Sequence, residues 1–153
     1  PTGDGVILSG IHKAFTDLMQ AGIISKLPKL IAVQAESSDA ISSYLENGYY
    51  RDAASPKTVA DSISVKTPSA AHLAYRALKD SSGYARRVSD NEILAAQRVL
   101  AERSGIFCEP SSAATLAAYY QAKEQALIEE GAKTVLMLTG HGLKDIRAVK
   151  FDA

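Results

Sequence analysis

Two glycine-bearing turns hold the residue types best suited to chemistry. Gly3-Asp4-Gly5-Val6-Ile7 precedes a helical pattern that starts near Ser9. Small residues let a backbone approach a ligand closely, and free N–H groups at a helix N-terminus attract an anion, so this loop suits a phosphate. It lacks the Gly-Lys-Ser/Thr ending of a Walker loop, and Leu8 stands where G-x-G-x-x-G needs its third glycine. Read alone, it fits a phosphate cradle or a plain tight turn. Thr139-Gly140-His141-Gly142-Leu143-Lys144-Asp145 follows an apolar run. In an open α/β sheet, the carboxyl end of a strand is where ligands bind. Two glycines there imply a crowded backbone, and Thr139 offers a hydroxyl that donates or accepts. A ligand-free terminal turn fits the same residues. Two such turns on one sheet edge would face one crevice.

Other reactive side chains point elsewhere. His12, His72 and His141 are scattered, and none has metal-ligand spacing with the single cysteine, Cys108. Cys108 sits in an apolar stretch and reads as a small buried hydrophobe. Ser, His and Asp all occur, but no G-x-S-x-G elbow does, which argues against a hydrolase triad. Tyr119 and Tyr120 read as helix packing, and Arg86-Arg87 as a solvated strand end.

The elements that must position these turns alternate between helix and strand. Helical spacing runs from Ser9 to Ala21 with a stop at Gly22, from Ser38 to Leu45, and from Ser69 to just before Gly83. Ser89-Asp90-Asn91-Glu92 is a capping box that opens a helix to Gly105, and Glu109-Pro110-Ser111-Ser112 turns into a long helix ending at Glu129-Glu130-Gly131. Strands are predicted at Leu30–Val33, Tyr84–Val88, Ile106–Cys108 and Thr134–Leu138, with mostly loop over 48–67. Strands alternating with long helices give an α/β fold: a three-layer, open, mostly parallel twisted sheet with flanking helices. No internal linker divides residues 1–153. Because the first glycine turn has no strand before it, the chain reads as the back portion of a larger α/β protein.

Composition narrows the function classes. The 153 residues are 46% hydrophobic and 22% charged, ordinary globular values that exclude disorder. Seventeen basic residues balance seventeen acidic ones, which gives nonspecific nucleic-acid binding no support. No apolar run has the roughly 18–20 residues that span a bilayer, and the N-terminus does not read as a signal peptide. A lone cysteine and no leader suggest a reducing, cytoplasmic setting.

At this point the motifs carry a family likeness. Thr139–Asp145 after its apolar run resembles the C-terminal signature of threonine synthases, pyridoxal-phosphate enzymes of the tryptophan-synthase-β fold type (fold type II). The run Gly105-Ile106-Phe107-Cys108-Glu109-Pro110-Ser111-Ser112-Ala113-Ala114 is similar to that family's second characteristic stretch. Pro1-Thr2-Gly3-Asp4-Gly5 resembles its cofactor-phosphate loop, and Asp61-Ser62-Ile63-Ser64-Val65 its segment facing the cofactor ring. The motifs keep the family's order nearly from end to end.

The resemblance implies conversion of O-phosphohomoserine and water to threonine and phosphate, with pyridoxal 5'-phosphate as electron sink. The backbone of Gly3, Asp4, Gly5, Val6 and Ile7 would hold the cofactor phosphate. Thr139 would hydrogen-bond the pyridine nitrogen, and Ser62 and Ile63 would lie near a ring face. Val6 and Ile7 replace the last Gly-Asn of the family's G-N-G/A-G-N type of loop. Since valine does not readily take a positive φ, a variant loop geometry or looser binding is expected. None of the ten lysines has the context of the family's Schiff-base lysine. That lysine and most substrate-phosphate ligands belong to the family's N-terminal half. The chain is therefore expected to hold no catalytic residue of its own, to be inactive alone, and to work with that N-terminal half, in a homo-oligomer. The other readings are a related enzyme of cysteate synthase or threonine dehydratase type, and a non-catalytic α/β binding or regulatory module.

Overall fold

The computed structural model describes residues 1–148 of the chain. Its centre is a pair of parallel strands, β1 (Ile31–Ala35) and β2 (Tyr84–Val88), in register from Ile31 opposite Tyr84 to Ala35 opposite Val88. Side chains of a strand alternate between faces, and here both faces of β1 are covered. Ala32 packs into one cluster with Leu8, Ile41, Ala71, Ala74 and Leu78, drawn from α1 (Val6–Gln20), α2 (Ala40–Asn47) and α3 (Ala71–Asp80). Val33, Ala35 and Val88 join a second cluster with Ile93, Ala96, Leu100, Ala113, Ala114 and Ala117 of α4 (Asp90–Ser104) and α5 (Pro110–Glu124). The result is an α/β fold of three layers, helices on both faces of a parallel sheet.

Local signals explain most element ends. Ser89 accepts from the Glu92 amide at 3.3 Å, and Glu92 accepts from the Ser89 amide at 2.7 Å, so the predicted capping box is present in full. Gly83 precedes β2 because a Cβ there would sit 2.0 Å from the Leu30 carbonyl oxygen.

Four expectations are revised. The helix expected from Ser9 begins at Val6, since Gly5 takes the left-handed turn at φ +86° and Ser9 bonds back to it. The long helix expected to reach 129–131 stops at Glu124, where Gln125 leaves helical geometry and Ala126 turns to φ +53°. Ile106–Cys108 is reduced to one antiparallel bridge, Cys108 to His141. Residues 134–138 are not in a ladder among the described residues. There Leu136 and Leu138 pack on the second cluster, whereas Val135 is 80% exposed and Met137 faces out. The apolar alternation is real, but a strand also needs a backbone partner, which apolar content alone does not specify.

Candidate functional site

The loop before α1 is fixed at both ends. The Thr2 amide donates to the Val33 carbonyl at 2.8 Å, laying the loop along β1. Asp4 turns away to α3, where its carboxylate accepts from the Ser69 amide at 3.1 Å and its carbonyl from the Ala70 amide at 3.0 Å. Gly5 is boxed in: a Cβ would lie 2.9 Å from that of Ala74 and 3.0 Å from the Ala70 oxygen. Left-handed φ and this crowding both demand glycine. Helix α1 thus starts with no side-chain cap and no acidic residue in its first turn. The first amides of a helix have no intrahelical acceptor, and Val6, Ile7 and Leu8 all line a cleft.

A second wall comes from the segment around the 3-10 turn Asp61–Ile63. The Ser38 hydroxyl pins it, lying 2.8 and 2.9 Å from the Ile63 and Val65 carbonyls and accepting from the Val65 amide at 2.9 Å. Gly3 closes against it, since a Cβ there would be 3.1 Å from the Ser62 carbonyl oxygen.

The third wall is the Thr139 turn. The Glu109 amide donates to the Gly140 carbonyl at 3.0 Å and the Gly142 amide to the Phe107 carbonyl at 2.9 Å, bringing this turn to the start of α5. Ser112, fully buried, accepts from the Thr139 and Gly140 amides at 2.9 and 3.0 Å, and its hydroxyl lies 3.4 Å from that of Thr139. Gly142 leaves space for the Phe107 ring, which a Cβ would meet at 2.5 Å.

These walls enclose a cleft of about 300 Å³ lined by all eight residues singled out in the sequence: Gly3, Asp4, Gly5, Val6, Ile7, Ser62, Ile63 and Thr139. Val6 needs no positive φ, because Gly5 carries it and Val6 is already helical. The cleft also takes in Glu109, Ser111 and Lys144, to which the sequence reading gave no site role. Lys144 donates from Nζ to the Ser62 hydroxyl at 2.6 Å and to Glu109 Oε2 at 3.0 Å, and Ser62 donates to the same oxygen at 2.9 Å. Nothing local in the sequence marks Glu109 and Lys144: they stand 35 residues apart and the fold alone brings them together. Cys108, beside Glu109, is buried, and burial pushes its thiol up, with the neighbouring Glu109 charge adding to this.

A family model described as "Pyridoxal-phosphate dependent enzyme" matches residues 1–140. The chain belongs to the pyridoxal-phosphate-dependent enzyme family. Among curated relatives, it is 36% identical over 150 residues to the threonine synthase of Methanocaldococcus jannaschii, covering 95% of this chain and 36% of that protein. It is 36% identical to the threonine synthase of Methanosarcina acetivorans, covering 97% of this chain and 37% of that protein. It is 34% identical to that of Mycobacterium bovis, covering 95% and 39%. The chain therefore spans little more than a third of the length of these relatives. In fold it is similar to a fungal L-serine ammonia-lyase from Rhizomucor miehei, with TM-score 0.75 at 24% identity over 92% of this chain and 44% of that one. It is similar as well to a maize serine racemase, with TM-score 0.62 at 23% identity over 77% and 33%.

The cleft suits the family's cofactor. The same cleft is lined by the start of α1, whose uncapped amides behind a glycine turn fit a phosphate, and by Thr139, whose neutral hydroxyl fits a ring nitrogen. Among the described residues no helix is long and apolar enough to cross a membrane.

Proposed function

We propose that this chain is the C-terminal portion of a pyridoxal-phosphate-dependent threonine-synthase-like enzyme, which converts O-phosphohomoserine and water to threonine and phosphate in the cytoplasm. The observation that carries the reading is the sharing of one cleft by the uncapped N-terminus of α1 and the Thr139 hydroxyl. Similarity to threonine synthases over almost the whole chain supports the choice of reaction.

In this reading the amides of Gly5, Val6 and Ile7 bind the cofactor phosphate, helped by the positive end of the α1 dipole. Thr139 accepts or donates at the pyridine nitrogen, and being neutral it does not favour a proton there as a carboxylate would. Ser62 and Ile63 lie on the ring side of the cleft, with the Ile63 side chain packed into the second cluster beneath it. Bound pyridoxal phosphate supplies the electron sink for the reaction. The lysine that carries the cofactor is assigned to a part of the protein outside these residues. Lys144, the lysine that lines the cleft, keeps its ammonium on Ser62 and Glu109.

The test is borohydride trapping of pyridoxal phosphate on the full-length protein, with peptide mapping, followed by assay of phosphate release from O-phosphohomoserine. An adduct on a lysine outside residues 1–153, together with phosphate release, is expected. Ammonia and a keto acid released from threonine, with no phosphate turnover, would reassign the protein to a dehydratase type. Absence of any cofactor binding would favour a non-catalytic module.

A further inference from the structure

We infer that Glu109 and Lys144 are a positioning pair, which locks the ring-facing segment and the Thr139 turn into one wall of the cleft. The inference rests on the cofactor reading above and extends it to two residues that reading leaves unused.

The Glu109 side chain is only 5% exposed, and a buried carboxylate is tolerated where donors and a cation meet it. Its Oε2 receives both, the Ser62 hydroxyl at 2.9 Å and the Lys144 ammonium at 3.0 Å. Oε1 lies against the Thr139 turn so closely that a Cβ on Gly140 would stand 2.1 Å from it. The backbone of Glu109 is tied to the same glycine, its amide donating to the Gly140 carbonyl. One carboxylate is thus held between the segment that carries Ser62 and the turn that carries Thr139. Lys144 closes the triangle by donating to Ser62 as well, at 2.6 Å. The three partners are 47, 35 and 82 residues apart in sequence, so no local constraint sets their geometry. An exposed cation and a buried carboxylate thus fix the spacing between the Ser62 segment and the Thr139 turn, whereas the start of α1 lies outside the triangle.

The experiment compares Lys144→Met, Lys144→Arg, Glu109→Gln and the Met/Gln double variant in the full-length protein. Losing the two hydrogen bonds that the ammonium donates to Ser62 and Glu109 should weaken pyridoxal-phosphate affinity at least about tenfold in Lys144→Met. The visible circular dichroism of the bound cofactor, which reports ring orientation, should change with it, and Lys144→Arg should restore much of both. Affinity for inorganic phosphate should stay as in the wild type. The double variant should lose no more than the worse single one, which marks the two residues as coupled. Unchanged affinity and dichroism in Lys144→Met, or fully additive losses, would overturn the pair. Should the wild type bind no pyridoxal phosphate, the proposed function fails first, and the same cycle read by urea unfolding decides the pair. Lys144 is surface-exposed, so its variants report even if Glu109→Gln does not fold.

Discussion

The hydroxyl of Ser112 accepts the backbone amide of Thr139 at 2.9 Å, across 27 residues of chain. A second bond, from the Gly140 amide at 3.0 Å, makes this one side chain the anchor of the whole turn. Ser112→Ala removes an acceptor that two amides share. The expected cost is about 1–2 kcal/mol of folding stability, read as a lower urea midpoint at unchanged slope. Affinity for pyridoxal phosphate should drop with it, because Thr139 loses its fixed place.

Two glycines at the start of α1 and within it give opposite expectations. Gly5→Ala meets a left-handed φ of +86° and a neighbour at 2.9 Å, so it should cost at least about 1–2 kcal/mol and weaken binding of inorganic phosphate. Gly10 lies in α1 with nothing near its Cβ position. Gly10→Ala should stabilise by about 0.5–1 kcal/mol and leave phosphate binding intact. Thermal melts and phosphate titrations of the two variants check the contrast.

Where a signal was local, it was legible. The Ser89–Glu92 box depends on near neighbours, and the structure has it as read; the strand Tyr84–Val88 also stands where it was read, with its ladder partner β1 far off in the chain. The glycine loop was legible as a turn into a helix, but its boundary was not. The positive φ of Gly5 turns the chain straight into the helix at Val6, and no sequence period records that choice. Residues 134–138 carried the strongest apolar run, yet a ladder depends on a distant partner, and they stay outside one. Glu109 and Lys144 were hidden for the same reason. A carboxylate in a turn and a lysine in a loop look solvated until folding brings them to 3.0 Å.

Acid should act on the capping box. Burial by itself raises the Glu92 carboxyl, but hydrogen bonds from Gln121, the Ser89 hydroxyl and the Ser89 amide outweigh it and leave it below the usual carboxylate value of 4.5. A carboxyl lowered in the folded state stabilises above its unfolded pKa, and that contribution is lost as pH falls through the folded one. Stability should therefore decline with acidification below about pH 4.5, and Glu92→Gln should flatten that limb. Urea midpoints between neutral pH and strong acid provide the measurement.

Cys108 gives a probe of opening. It is 2% exposed and its thiol is pushed up by burial, so both access and thiolate are scarce in the native state. A disulfide reagent at mildly alkaline pH should label it slowly, and fully once urea unfolds the chain. Prompt labelling of native protein would contradict the packing around α5.

The cleft draws its walls from the Gly5 loop, the Ser62 segment, the start of α5 and Lys144, which is joined to Ser62 over 82 residues. Contacts of such long range form late, because the chain between them must first be closed. During synthesis the Gly5 turn and the start of α1 are made long before Lys144, so a nascent chain holds one wall of the cleft well ahead of the residue that ties the Ser62 segment to the Thr139 turn.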